Sequence, residues 1–170
     1  IPGAKYVELP GTDHMVLDQE TQDIIADEIE EFITGSRRHL ESDRVLATIM
    51  FTDIVSSTRR AAEVGDARWR ELLGNFYAVL RRELNVFRGH EVRIAGDGLL
   101  ATFDGPARAI QCACAVRDAV REIGLEIRAG LHTGEVERRG PSVTGLAVHV
   151  GARVAALATA SEVLVTSTVQ

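Results

Sequence analysis

The pattern of apolar and polar residues predicts a strand followed by a helix in the first 35 residues. Residues 5–9 have the composition of a short strand that stops at a Pro-Gly pair. Residues 20–33 carry isoleucine and phenylalanine on one side of a helix and acidic residues elsewhere, which is typical of an amphipathic helix. Gly35 is a helix-stop signal, and the polar run over residues 36–43 is predicted to be a linker.

After the linker, the pattern predicts the order strand, helix, strand, strand, helix, strand, helix, strand. The apolar run at residues 45–51 is typical of a buried central strand. The Asp97-Gly98 pair is a strong turn signal and predicts a hairpin. Helices interleaved with a hairpin favour an α+β fold, with the sheet covered mainly on one face. The predicted elements after the first strand are a helix at 69–87, strands at 91–95 and 99–103, a helix at 107–123, a strand at 125–136, a helix at 146–158 and a strand at 163–166.

The two cysteines, Cys112 and Cys114, lie in the helix predicted over residues 107–123. Residues two apart point to different sides of a helix, so we expect neither a disulfide nor a shared metal ion. We interpret them as small packing residues in a reducing compartment. The helix is predicted to pack through Ile110, Cys114, Val116 and Val120.

Composition narrows the classes of function. The chain has 170 residues, 45% of them hydrophobic and 26% charged, with a net charge of -6. That charge favours no nucleic-acid partner, since such proteins usually present a basic face. Charges interrupt every apolar stretch before the roughly 20 residues that a membrane span needs, and no signal peptide is visible. We therefore expect a cytoplasmic protein without a membrane partner.

Two carboxylates are the candidate chemical groups. Asp53 ends an apolar strand just before Ser56-Ser57-Thr58, and Asp97 lies in the hairpin turn. Taken singly, Asp53 reads as a helix cap and Asp97 as a turn residue. Together they could hold Mg²⁺, which prefers oxygen ligands and keeps positions open for phosphate oxygens. The backbone amides of residues 54–58, at a helix start, are suited to receive negative charge.

At these residues the chain resembles the class III nucleotidyl cyclases, which make cyclic AMP or cyclic GMP. The resemblance runs from about residue 44 to residue 170. It rests on Phe-Thr-Asp-Ile-Val-x-Ser-Thr from Phe51, on Gly-Asp-Gly from Gly96, on Gly-Leu-His-Thr-Gly-Glu at 130–135 and on residues 145–153. We interpret His132, within the third motif, as a structural residue.

The resemblance implies a ferredoxin-like core that forms a homodimer with active sites shared between subunits. Asp53 and Asp97, assisted by the Ile54 carbonyl, would bind two Mg²⁺ or Mn²⁺ ions. The phosphates would lie against Val55, Ser56, Ser57 and Thr58. Arg153 matches the arginine that stabilises charge on the phosphoryl group; without the match it would read as an exposed helix residue.

Three positions depart from the family pattern. His149 stands where the family has asparagine, four residues before Arg153; it could donate to the nucleotide or be a structural histidine. Arg93 replaces the purine-selecting lysine, although an exposed strand arginine would also be ordinary. Ser142 falls at the purine-selecting aspartate, with Val143 or Thr144 as alternatives. We expect an adenylyl cyclase acting on ATP; the alternatives are relaxed selectivity that includes GTP, and a weak or inactive nucleotide-binding signalling module.

The segment Leu-Pro-Gly-Thr-Asp-His ending at His14 resembles the carboxy-terminal end of an α/β-hydrolase domain, where the triad histidine follows the last strand. His14 would be the general base of that triad. No Gly-x-Ser-x-Gly elbow occurs in the sequence, so hydrolase activity is not expected. We thus predict a hydrolase remnant over residues 1–35, a linker over 36–43 and a cyclase domain over 44–170 that continues in relatives beyond residue 170.

Overall fold

The computed structural model describes Tyr6, residues 19–35 and residues 43–169. The chain divides into two compact units, Ile1–Glu41 and Ser42–Gln170. In the first unit, α1 (Gln19–Thr34) confirms the predicted helix, and the N–H of Gly35 donates to the Glu31 carbonyl at 2.9 Å. The strand predicted at residues 5–9 is outside the described residues apart from Tyr6, and so are His14 and most of the linker.

The second unit is built on one six-stranded sheet. Its order is β2-β3-β1-β4-β5; neighbours along this path are antiparallel, and β6 pairs in parallel with β4. This confirms the predicted α+β class with an antiparallel-rich sheet. The elements are β1 (Asp43–Ile54), α2 (Ser57–Val64), α3 (Asp66–Val86), β2 (His90–Ala95), β3 (Gly98–Phe103), α4 (Pro106–Glu122), β4 (Ile127–Arg139), β5 (Ser142–Thr144), α5 (Leu146–Leu157), β6 (Val163–Val165) and a 3₁₀ turn (Ser167–Val169).

The helix stripe predicted for α4 is partly wrong. Val116 and Val120 are buried as expected, but Cys112 is fully buried and Cys114 only half-buried. The reason is helical spacing, since positions three and four before Val116 are Ala113 and Cys112. Both cysteines are free, as predicted. Burial raises the pKa of the Cys112 thiol to about 12, so this thiol stays protonated at neutral pH.

Two further elements differ from prediction. A separate helix, α2, precedes the long helix α3, and Gly65, with φ +78°, separates the two helices. A residue with a positive φ cannot continue a right-handed helix, which explains the break. The loop expected at residues 138–144 contains the short strand β5, which pairs with the end of β4.

The sheet is covered on both faces, not mainly on one. Met50 and Ile54 of β1 belong to the large core with α3 and α4, whereas Ile49 and Phe51 point to the other face. There Gly151 of α5 packs on Ile49 and Phe51. Gly130 of β4 allows the close approach of α5, because a Cβ at that residue would stand only 2.1 Å from the Ala155 backbone nitrogen. Small residues therefore allow α5 to pack closely on β1 and β4.

Candidate active site

A cavity of about 460 Å³ lies on the α5 side of the sheet. Three of its lining residues are charged: Asp53 from β1, Arg93 from β2 and Arg128 from β4. Apart from Thr52, the rest of the wall is apolar or small, so the charged groups are its main polar features. The other lining residues are Phe51, Thr52, Ala95, Gly98, Leu99, Leu100, Val143, Val148, Ala152, Ala155 and Ala156.

Strand pairing brings the backbones of Asp53 and Asp97, the two candidate metal ligands, next to each other. Asp53 pairs with Gly98 across the β1–β3 ladder, directly after Asp97 in the turn. The N–H of Ile54 donates to the carbonyl of Asp97 at 3.2 Å. The Tyr77 hydroxyl donates to the Gly96 carbonyl and so ties the turn to α3. Asp97 lines a separate depression with the start of α2, whereas Asp53 lines the cavity on the α5 side of the sheet.

The donor set at this point suits a hard divalent cation. Asp53 and Asp97 offer carboxylate oxygens, and the Ile54 carbonyl is a third oxygen at the same strand end. Across the described ranges no group of three or more histidine, cysteine, aspartate or glutamate residues has a metal-binding arrangement. A cation bound here would therefore rest on two carboxylates and would complete its shell with water or phosphate oxygens, as Mg²⁺ commonly does.

Arg128 is a site residue that the sequence analysis missed. Its Nη2 and Nε donate to the same Asp53 oxygen, Oδ2, at 2.7 and 3.2 Å. The partners are 75 positions apart and meet because β1 and β4 pair in the register Asp53 to Arg128. The only available signal was a charged residue within the apolar run that leads to the Gly-Leu-His-Thr-Gly motif.

The backbone amides of the predicted phosphate-binding segment differ in their hydrogen bonding. The N–H of Ile54 is bonded to Asp97, and the N–H of Val55 donates to the Glu126 carbonyl at 2.8 Å, so neither amide is available for phosphate. Ser56 precedes α2 in a left-handed conformation with φ 54°. Ser57 and Thr58 lie in the first turn of α2, where backbone N–H groups have no intrahelical acceptor.

The residues expected to read the base fall in different places. Arg93 lines the cavity with Asp53. In β5, Val143 lines it as well, whereas Ser142 is not among the lining residues. Successive strand residues point to opposite faces, which accounts for the difference. Val143, one of the two alternatives open at this position, is thus the β5 residue next to Arg93's cavity.

His149 and Arg153 are not brought to Asp53 within one chain. Both are exposed on α5, four residues apart, and neither lines the cavity. The cavity side of α5 is formed by Val148, Ala152 and Ala155. Leu146 and Leu157 are 78% and 76% exposed at the two ends of the same helix. The surface of α5 that carries His149 and Arg153 therefore also presents apolar side chains to solvent.

His132 lies outside the cavity and is held by hydroxyl groups. Its Nδ1 is 2.9 Å from the Thr166 hydroxyl and 3.3 Å from that of Thr168. Burial lowers the pKa of the imidazole below its ordinary 6.5. These contacts support a structural interpretation of His132.

We expect His132 to make stability depend on pH. Because the folded pKa is lowered, unfolding is accompanied by proton uptake between the folded pKa and about 6.5. The contribution of the neutral imidazole to the free energy of unfolding is complete above about pH 6.5 and declines as the pH falls below that value. In chemical denaturation at pH 7.5 and 5.5, the wild type should lose more unfolding free energy than His132→Gln. Equal losses would contradict the assignment.

In the part of the chain that is described, no helix is long and apolar enough to span a bilayer.

Comparison with known proteins identifies the second unit. The family model described as "Adenylate and Guanylate cyclase catalytic domain" matches residues 41–170. A putative adenylate cyclase of Rhizobium meliloti (strain 1021) is 27% identical over 123 residues, covering 68% of this chain and 21% of that protein. A serine/threonine-protein kinase of Myxococcus xanthus is 31% identical over 145 residues, covering 81% of this chain and 17% of that protein. The chain thus spans about a fifth of these curated relatives.

Solved structures share the fold. The adenylyl cyclase CyaB from P. aeruginosa aligns with a TM-score of 0.71 at 21% identity, over 76% of this chain and 81% of that one. The guanylyl cyclase Cya2 aligns with a TM-score of 0.65 at 23% identity, over 75% and 78% of the two chains. Both kinds of cyclase therefore share this architecture. Through residues 41–170, the chain belongs to the adenylate and guanylate cyclase catalytic domain family.

Proposed function

We propose that the chain is an adenylyl cyclase that converts ATP to cyclic AMP and pyrophosphate. The observation that carries this proposal is that Asp53 ends β1 next to the turn that holds Asp97, and that Asp53 shares a cavity with two arginines. Carboxylates and arginines at one point suit a substrate that brings phosphates and a divalent cation together. Since the chain spans only part of its relatives, the activity of the whole protein is part of this proposal.

Each residue has a role in this mechanism. Asp53, Asp97 and the Ile54 carbonyl would hold Mg²⁺ or Mn²⁺, two ions per site, which supply charge neutralisation and lower the pKa of the attacking 3′-hydroxyl. The amides at Ser57 and Thr58 would receive phosphate oxygens at the start of α2. The 3′-hydroxyl would lose its proton to solvent, its oxygen would attack the α-phosphorus, the bond from that phosphorus to the bridging oxygen would break, and pyrophosphate would leave. Arg153 would stabilise the charge that develops on the phosphoryl oxygens.

The position of Arg153 supports a homodimer with shared sites. In its own chain Arg153 is exposed and is not among the residues that line the Asp53 cavity, which supports a role at the cavity of another copy. His149, on the same exposed surface, would accompany it and donate to a ribose or phosphate oxygen. The exposed Leu146 and Leu157 would be covered in such an assembly.

Base selectivity is proposed to reside in Arg93 and its neighbourhood. The planar guanidinium offers a fork of donors in place of a single ammonium group, so purine recognition should be less strict. Ser142 keeps its proposed role only if the β5 hairpin turns it toward the nucleotide; Val143 is the residue on the cavity wall. ATP is the proposed substrate, with GTP turned over more slowly.

We expect cyclic AMP to form faster from ATP than cyclic GMP from GTP, with Mn²⁺ and then with Mg²⁺. Replacing Arg93 with alanine should reduce that preference by about tenfold, because a charged hydrogen bond contributes about 1.5–3 kcal/mol. Initial rates of both products, measured by chromatography on wild type and variant, test this. A faster reaction with GTP would assign a guanylyl cyclase instead.

A second candidate is a cyclase-like module that binds nucleotide and transmits a signal without catalysis. It is favoured by Arg93, Ser142 and His149, the three residues that depart from the family pattern. Nucleotide binding by calorimetry without any cyclic product, from a dimeric protein with both metals tested, would select this candidate.

For residues 1–35 we keep the proposal of an α/β-hydrolase remnant that precedes the domain. It rests on the motif ending at His14 and on the helix α1, which the structure forms. Without a nucleophile elbow in the sequence, ester hydrolysis by this chain is not expected.

A further inference from the structure

Arg128 is hydrogen-bonded to the carboxylate of Asp53, which the proposed function assigns as a metal ligand. Both of its hydrogen bonds, at 2.7 and 3.2 Å, go to Oδ2 of Asp53. The two side chains are 38% and 34% exposed, so this ion pair is partly shielded from water. Screening by solvent and salt is weaker for such a pair than for one on the open surface.

The second arginine of the cavity provides a contrast. Arg93 lines the same cavity, but the hydrogen bonds and ion pairs found for Asp53 involve Arg128 and not Arg93. Each of the two arginines adds one positive charge to the cavity wall. Only Arg128 also occupies a lone-pair direction of the proposed ligand oxygen. A difference between the two arginines therefore separates direct competition from the general charge of the cavity.

We propose that Arg128 gates the metal site by competing with the divalent cation for Asp53. A cation at Oδ2 must displace the guanidinium, and a cation at Oδ1 must bind within a few ångströms of its positive charge. Either way the arginine opposes binding of the cation alone. An incoming polyphosphate offers Arg128 other oxygens and brings its own negative charge, so metal ion and nucleotide enter the site together. This inference rests on the proposed function, because it takes Asp53 as a metal ligand.

The test is binding of Mn²⁺ alone to the full chain, without nucleotide, followed by electron paramagnetic resonance of the free ion. Arg128→Gln should bind Mn²⁺ at least about tenfold more tightly than the wild type, since a unit charge beside a dication has a large effect at this distance. Arg128→Lys, which keeps the charge, should bind nearly as weakly as the wild type. Circular dichroism and melting curves verify that each variant is folded.

Matched variants separate the outcomes. Arg93→Gln removes an equal charge from the same cavity and should tighten binding much less; an equal gain would overturn competition at Asp53. Unchanged or weaker binding by Arg128→Gln would also overturn the gate, and weaker binding would make Arg128 an orienting partner of Asp53. Adding Asp53→Asn to Arg128→Gln should remove the gain. If Asp53→Asn changes Mn²⁺ binding in neither background, the metal role of Asp53 fails, and with it the basis of the proposed function.

Discussion

Replacing Asp53 with alanine is expected to lower metal-dependent formation of cyclic nucleotide by at least about a thousandfold, equivalent to about 4 kcal/mol in the barrier. The proposed mechanism uses this carboxylate to hold the ions that neutralise the triphosphate and activate the 3′-hydroxyl. Asp97 cannot replace it, because Asp97 is itself proposed as the second carboxylate ligand of the same ions. The measurement is the initial rate of product formation from ATP with Mn²⁺.

Stability should change much less than activity in this variant. Asp53 is a partly exposed residue at the end of β1, and its loss leaves Arg128 with access to water. The matched control is Asp43→Ala, which removes an exposed carboxylate from the opposite end of the same strand. It should keep the wild-type rate. Activity retained in Asp53→Ala, with melting curves like those of the wild type, would refute the catalytic assignment.

The second large effect concerns the shared site. Arg153→Ala should lower the rate by about a hundredfold or more, the usual loss for a donor aimed at developing charge. Mixing Arg153→Ala with Asp53→Ala should then restore activity. In a mixed dimer one site receives Asp53 from one copy and Arg153 from the other, while the second site lacks both. Random exchange would give about a quarter of the wild-type activity.

The mixing experiment has its own control. Combining Arg153→Ala with the double variant Asp53→Ala/Arg153→Ala should restore nothing, because no mixed dimer then contains an intact site. Light scattering of each protein measures whether dimers form. Failure of the first mixture to recover, although dimers exchange, would show that Arg153 does not act on the cavity of another copy.

Local patterns predicted the elements that hold the candidate site. The apolar run of β1 placed Asp53 at a strand end, which the structure forms. The Asp-Gly pair predicted a tight turn, and the structure forms it one residue earlier, at Gly96 and Asp97, because Gly98 already pairs with Ala95 as the first residue of β3. The helix periodicity anticipated α3, α4 and α5, although it missed the break at Gly65 and the Cys112 side of α4. Strand ends, turns and helices depend on residues within a few positions of one another, so they can be predicted from the sequence alone.

Contacts between distant residues required the tertiary structure. The pairing of Arg128 with Asp53 depends on the register between β1 and β4, and the loss of the Val55 amide depends on the Glu126 carbonyl beside it. The choice of α5 residues that line the Asp53 cavity depends on how α5 packs on the sheet, where Gly130 allows its close approach.

The sequence by itself therefore determined the class of fold and the local positions of Asp53, at a strand end, and Asp97, in a turn. The tertiary structure alone decided that Arg128 is hydrogen-bonded to Asp53 and that Arg153 does not line the same cavity. The physical reason is that strand register and helix rotation are set by packing across the whole sheet, and no short stretch of the chain records them.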